Sequence, residues 1–283
     1  MSIFVTGDIH ASYDIAKLSD SCFDTTGLTK NDYVIICGDF GLVWNNSASE
    51  QYWLRWLDAR PFTTLFVDGN HEGFSLLNSL PETTWHGGAV HQVAQTVFHL
   101  QRGQLYDIDG FRIFTMGGAT SSEYDRKHRT LGETWFAEEV PSEQERANAV
   151  TALDAANWDC DIVITHCAPS SAAEGISEHT DRLEIHPMDE YTDWLQTIQN
   201  KLEYTHWFCG HYHIDAQVQD KTTALYNRIA LLTKPDDCND SEDTPISSLP
   251  YHLLPEPIIE EQPAAADYAP ELDDQDALEI DLE

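Results

Sequence analysis

Gly69-Asn70-His71-Glu72 follows the short apolar run Thr64–Val67 and Asp68, and the reading of this stretch decides the fold. A strand-length apolar run ends in a small residue, and side chains able to bind a metal come next. The pattern recurs at Gly7-Asp8-Ile9-His10 after Ile3–Thr6, and at Gly38-Asp39 after Tyr33–Cys37. It recurs again at Thr165-His166, at the end of the run Asp161–Thr165, and at Gly210-His211-Tyr212-His213 after Thr205–Cys209. In α/β sheets, ligands collect beyond the carboxyl ends of strands. Glycine there lets the backbone turn sharply and leaves room for an ion. A lone Gly-Asp is usually a turn and a lone histidine usually structural, but five such pieces at strand ends in one chain are hard to obtain by chance.

Working outward, Glu50–Ala59 carries Trp53, Leu54 and Leu57 at helical spacing between the second and third apolar runs. Continuous apolar runs separated by helices predict a sheet buried on both faces, built from β-α-β units. Val97–Leu100, Gln104–Ile108 and Phe111–Met116 lie closer together, and Asp109-Gly110 between the last two predicts a hairpin. Helices are expected over Val150–Ala156 and Tyr191–Leu202, and a closing strand pair at Ala216–Val218 and Thr223–Tyr226. The fold class read from this order is an α/β sandwich with mixed sheets.

Composition narrows the functional classes. The chain has 283 residues and a formal net charge of −34. Non-specific duplex nucleic-acid or anionic-membrane binding needs a basic surface and is disfavoured, whereas a small phosphorylated substrate or nucleotide is not, because bound cations invert the local field. After Lys234 there is no Lys or Arg, while 16 acids and 7 of the 12 prolines lie there. This leaves 33 acids and 15 bases, a net −18, in residues 1–234. The expected division is therefore a catalytic domain over 1–234 and a largely disordered acidic tail over 235–283, within which Tyr251–Leu254 and Ile258–Ile259 can dock as short extended segments. No secretory signal or membrane span is read, so a cytoplasmic protein is expected. The six cysteines form no CxxC pair and read as small buried residues near strand ends.

The side chains suit a metal centre. Asp8 and His10 are two apart, as are His211 and His213, so each pair faces one side of an extended strand end. Asp39 can bridge two cations through its two oxygens. Mixed imidazole and carboxylate ligation suits Mn, Fe, Zn or Co better than Mg or Ca.

Together these five motifs, in this order, resemble the calcineurin-like metallophosphoesterase superfamily over roughly residues 1–230. The resemblance implies an αββα sandwich of two mixed β-sheets flanked by helices, and a dinuclear centre of two divalent ions, with manganese first among them. By motif position, Asp8, His10 and His213 would hold one ion, Asn70, His166 and His211 the other, and Asp39 would bridge them. His71 would stand beside the metals as the catalytic residue, protonated and assisting the leaving oxygen, or else orienting its neighbours. The activity implied is hydrolysis of phosphodiesters or phosphomonoesters by a metal-activated hydroxide. A protein Ser/Thr phosphatase-like enzyme, a nuclease of the same chemistry and a non-catalytic metal-binding scaffold are the alternatives.

The second motif departs from the phosphatase branch, which continues Gly-Asp-x-x-Asp-Arg-Gly. Here Leu42 and Val43 stand where that branch has a carboxylate orienting the catalytic histidine and a phosphate-binding arginine. Ala11 replaces the glycine that usually follows the first motif. The basic cluster Arg126-Lys127-His128-Arg129 is expected to overhang the metals, with Arg126 and Arg129 contacting phosphate. Trp85-His86-Gly87-Gly88 reads as a lid turn or as core packing through Trp85. Phe40 and Trp44 read as an apolar wall for a leaving group or as core. His86, His91, His128, His179 and His186 carry no assignment.

Overall fold

A computed structural model describes residues 1–234 and 250–256. The strands are β1 (Ile3–Thr6), β2 (Tyr33–Ile36), β3 (Thr63–Phe66), β4 (Glu82–Trp85), β5 (Gly88–Ala94), β6 (Val97–Leu100) and β7 (Gln104–Ile108). They continue with β8 (Phe111–Met116), β9 (Ile162–Thr165), β10 (His206–Cys209), β11 (Ala216–Gln219), β12 (Thr222–Ala224), β13 (Ile229–Leu232) and β14 (Tyr251–Leu253). The helices are α1 (Ala48–Ala59), α2 (Phe74–Leu77), α3 (Glu123–His128), α4 (Glu143–Ala155), α5 (Ala173–Ser177), α6 (Arg182–Ile185) and α7 (Glu190–Gln199).

Eight strands form one sheet in the order β14-β13-β1-β2-β3-β6-β5-β4, and six form the other in the order β11-β12-β10-β9-β8-β7. Each has a parallel centre, β1-β2-β3-β6 and β12-β10-β9-β8, with antiparallel edges. The alternation of side chains along a strand sorts the apolar residues into three cores. Ile3, Val5, Ile35 and Leu65 point inward and meet Ile113, Ile162, Ile164 and Phe208 between the sheets. Phe4, Val34, Ile36 and Phe66 point outward, under Leu54 and Leu57 of α1. On the far side, Val163 and Trp207 lie under Leu153 of α4 and Leu195 of α7. The result is the expected four-layer αββα sandwich. Each fully buried Leu, Ile or Phe side chain contributes about 1.5–3 kcal/mol.

Local signals explain the element ends. Ser47 caps α1 by accepting the Glu50 N–H at 3.2 Å, and the helix stops before Pro61. Asp109 and Gly110 both take positive φ, which makes the tight turn joining β7 and β8. The helix expected over Val150–Ala156 begins seven residues earlier, at Glu143, where Ser142 and Glu145 form a capping box. Its polar first turns carry no apolar periodicity. The piece Trp85–Gly88 closes the hairpin of β4 and β5 at a sheet edge, through His86 and Gly87, both with positive φ. Trp85 packs on the inter-sheet core beside Tyr33 and Phe98. Phe40 stacks on Phe66 at 4.0 Å, so it is core and not a substrate wall.

The strand β13 has no counterpart in the sequence reading. It lies beside β1 and receives Tyr251–Leu253 as β14, so the edge of the first sheet is supplied from beyond Lys234. Ile258 and Ile259 lie outside the described residues, as does most of 235–283. Among the described residues no helix is long and apolar enough to cross a membrane, and Cys37, Cys160, Cys167 and Cys209 are buried and unpaired.

Candidate metal centre

The loops leaving β1, β2, β3, β9 and β10 converge at one end of the two sheets. Asp8, His10, Asp39, Asn70, His166 and His211 are buried there and His213 is half-buried. Close approach explains the motif glycines. A Cβ on Gly38 would collide with the His166 ring, and one on Gly69 would collide with the Asp39 carboxylate. His10, Asp39, His211 and His213 themselves take positive φ, a strained conformation typical of functional sites.

Two groups of donor atoms form around the carboxylates. One oxygen or nitrogen each from Asp8, His10 and His213 lies within 4.8 Å of the others, and the same holds for Asp8, Asp39 and His166. His213 Nε2 is 3.4 Å from Asp8 Oδ2, and His10 Nε2 is 3.4 Å from Asp39 Oδ2. His166 Nε2 is 3.3 Å from Asp39 Oδ1 and 3.1 Å from Asn70 Oδ1. The His211 ring stands 4.9 Å from the His166 ring, and its backbone N–H donates to both Asp8 oxygens.

Proton positions make this arrangement fit a cation. His166 Nδ1 donates to the Cys37 carbonyl at 2.8 Å, which leaves the Nε2 lone pair facing two oxygen acceptors. His10 Nδ1 donates to Asp14 Oδ2 at 2.7 Å and turns its Nε2 toward Asp39 in the same way. Lone pairs converging in a buried space require positive charge between them. The protein alone answers with protons: burial lowers the pKa of His10, but Asp14 and Asp39 outweigh it and lift it to about 10. His166 is likewise lifted to about 9, burial being outweighed by Asp39 and Asp8. Burial raises Asp39, yet the charges of His166 and His71 hold it well below the usual carboxylate range. A divalent ion satisfies the same demand, and the Nδ1 partners are the outer hydrogen bonds that orient metal-binding imidazoles.

Three groups to which the sequence assigns no role support this cluster, Lys17 and Glu72 buried and Asp14 partly buried. Lys17 donates to the Asp8 carbonyl and to that of Tyr226, placing a cation beneath the first motif. Glu72 accepts the N–H groups of Phe40 at 2.7 Å, Gly41 at 3.1 Å and Gly69 at 3.3 Å, binding the loop after β2 to the loop after β3. Asp14 also accepts the Tyr226 hydroxyl at 3.1 Å, and the Tyr226 ring stacks on His213 at 4.5 Å. A carboxylate four residues after His10 and a fourth polar residue in the third motif were the available signals. His186, whose ring lies 4.4 Å from that of His211, offered none.

His71 lies beside the cluster, its ring 5.8 Å from that of His10, and its backbone N–H donates to Asp39 Oδ1 at 2.8 Å. Removal from bulk water comes first among the causes that push it down to about 3, with the Arg129 and His10 charges acting the same way against Asp39. The basic cluster folds as α3 and the residue after it. Arg129 reaches His71 at 2.7 Å, while Arg126 pairs with Glu139 at 3.4 Å and lies over Trp135. Leu42 and Val43 are buried in the apolar core under α1, so no polar group enters from their positions.

The chain is similar to known proteins. The family model described as calcineurin-like phosphoesterase matches residues 1–215. The chain is 26% identical over 165 residues to a lariat debranching enzyme of Schizosaccharomyces pombe, covering 54% of this chain and 33% of that enzyme. It is 23% identical over 260 residues to a lariat debranching enzyme of Danio rerio, covering 83% of this chain and 44% of that enzyme. The chain thus spans less than half the length of these relatives. A solved protein of unknown function from Aquifex aeolicus matches with 14% identity and a TM-score of 0.31, over 72% of this chain and 87% of that one. With the family model spanning all five motifs, the chain belongs to the calcineurin-like phosphoesterases, hydrolases that act on phosphoester bonds with divalent metal ions.

Proposed function

We propose that this chain hydrolyses phosphodiesters at a two-metal centre held by Asp8, His10, Asp39, Asn70, His166, His211 and His213, with Mn²⁺ as the working ion. The observation that carries this reading is the convergence of His166 Nε2, Asn70 Oδ1 and Asp39 Oδ1 next to the group formed by Asp8, His10 and His213. When bound, the ions supply Lewis acidity that activates a water and neutralises phosphoryl oxygens. The chain's own residues do the rest. Asp14 and the Cys37 carbonyl keep the Nδ1 protons of His10 and His166 in place and present both Nε2 atoms. The His71 N–H donates to Asp39 Oδ1, and Glu72 accepts the N–H of the next residue, Phe40, which steadies Asp39 between the two groups. His71 stands beside them and donates an N–H to the leaving oxygen as charge builds there. Similarity to lariat debranching enzymes favours a diester, and the net −18 of residues 1–234 favours a small or nucleotide-sized one over duplex nucleic acid.

The test uses bis-p-nitrophenyl phosphate beside p-nitrophenyl phosphate, with Mn²⁺ returned to metal-stripped protein and Asp39→Asn as control. Metal-dependent turnover that prefers the diester and disappears in the variant is expected. Preference for the monoester, or turnover surviving in Asp39→Asn, would refute the reading.

A further inference from the structure

We infer that Arg129 is a positioning residue for His71, fixing that ring as the neutral tautomer whose proton sits on Nε2. This rests on the reading of His71 as the group that meets the leaving oxygen. A guanidinium carries only donors, so the 2.7 Å contact from Arg129 Nη1 to His71 Nδ1 makes Nδ1 the acceptor. A neutral imidazole with an accepting Nδ1 carries its proton on Nε2.

Both ends of the contact are held. The His71 main chain is tied to Asp39 Oδ1 through its N–H at 2.8 Å. Arg129 is bound by Asp125 Oδ1 at 3.3 Å, and Asp125 Oδ2 receives the hydroxyl of Ser122, the cap of α3, at 2.6 Å. The Arg129 side chain is 16% exposed. The chain Ser122-Asp125-Arg129-His71 therefore reaches the site from the second sheet's side of the sequence, after β8. Leu42 and Val43 of the second motif are buried and apolar, so the polar partner of His71 Nδ1 comes from Arg129.

An arginine on Nδ1 gives the ring a different chemistry from a carboxylate on Nδ1. A carboxylate would accept an Nδ1 proton, and the ring would need a second proton before Nε2 could donate. With Arg129, Nε2–H is a donor on an uncharged ring. His71 then stabilises the leaving oxygen by a hydrogen bond, its proton stays on Nε2, and water protonates the departing alcohol. Because Arg129 acts through His71, its loss affects kcat more than KM.

The test combines ring spectroscopy with kinetics on the full chain. Two-bond ¹H–¹⁵N correlations are recorded on Zn²⁺-loaded protein labelled at histidine, and the His71 pattern is assigned by its absence in His71→Gln. An unprotonated Nδ1 with a protonated Nε2 is expected, and that pattern should be lost in Arg129→Ala. With Mn²⁺ and the diester, Arg129→Ala should lower kcat about 10- to 100-fold with KM within about threefold. Arg129→Lys should retain part of the rate, and added guanidinium at non-denaturing concentration should restore part of the Ala variant's rate. A proton found on Nδ1 in the unmodified protein overturns the proposal, as does a raised KM with unchanged kcat. Full activity in His71→Gln would instead overturn the underlying reading of His71 while the ring pattern still judged the contact.

Discussion

At the scale of single residues, the site depends on where protons rest. Asp14 accepts from His10 Nδ1, and its other oxygen accepts from Tyr226, which stacks on His213. One carboxylate outside the donor groups thus orients two imidazoles within them. Partners of this kind are worth about 10–100-fold in metal affinity or activity. Asp14→Asn should therefore weaken Mn²⁺ binding by about that factor, read by calorimetric titration of metal-stripped protein, and an unchanged affinity would deny Asp14 this role. The motifs that hold Asp8, His10, Asp39, Asn70, His166, His211 and His213 stand out in the sequence because each motif starts at a small residue ending an apolar run, and the fold brings them to one end of the two sheets. Asp14, Lys17 and Glu72 were not assigned roles, since their partners are main-chain groups or rings that only the folded loops bring within reach.

At the scale of elements, parallel central strands announce themselves as continuous apolar runs, and β1, β2, β3, β9 and β10 were read within a residue or so of their ends. Elements with polar or mixed faces were harder. The first turns of α4 are Glu-Gln-Glu-Arg and show no stripe, and β4 lies exposed at an edge. Most consequential is β14, a three-residue strand from beyond Lys234 that covers the edge of β13. Tyr251 is 3% exposed; its ring packs on His206 and Phe208 of the other sheet, and its hydroxyl meets Thr223 Oγ1 at 2.8 Å. It therefore joins the two sheets as well as closing one. Tyr251→Ala should cost about 3–5 kcal/mol in urea unfolding, and Tyr251→Phe about 1 kcal/mol. A loss under about 1 kcal/mol for the alanine variant would show that β14 adds little to the fold.

At the scale of the whole molecule, acidification works against the fold through buried imidazoles. His206, between the sheets, is lowered to about 4 by burial and by the Lys221 charge, and His91 to about 4 by burial and its neighbour His99. For a histidine whose folded pKa is depressed, the unfolded chain binds more protons below pH 6.5. The stability contribution is thus complete above 6.5 and is lost as pH falls toward 4. Between pH 7 and pH 5 the stability gap separating the unmodified protein from His206→Gln should shift by about 2 kcal/mol in favour of the variant, measured as urea midpoints. A gap constant with pH would show that His206 titrates normally in the folded state. By itself, the sequence determined an α/β sandwich with mixed sheets and five strand ends bearing metal-competent side chains, because short-range signals carry them: apolar runs, glycines and side chains in order; the αββα layering and the phosphoester chemistry came from the family resemblance that those motifs carry. Only the tertiary structure decided that Arg129 meets His71, that Glu72 locks two loops together and that Tyr251 returns to the sheet edge. Those contacts join residues 58, 32 and 28 or more positions apart, and their partners are chosen by the packing of two sheets, which no local pattern encodes.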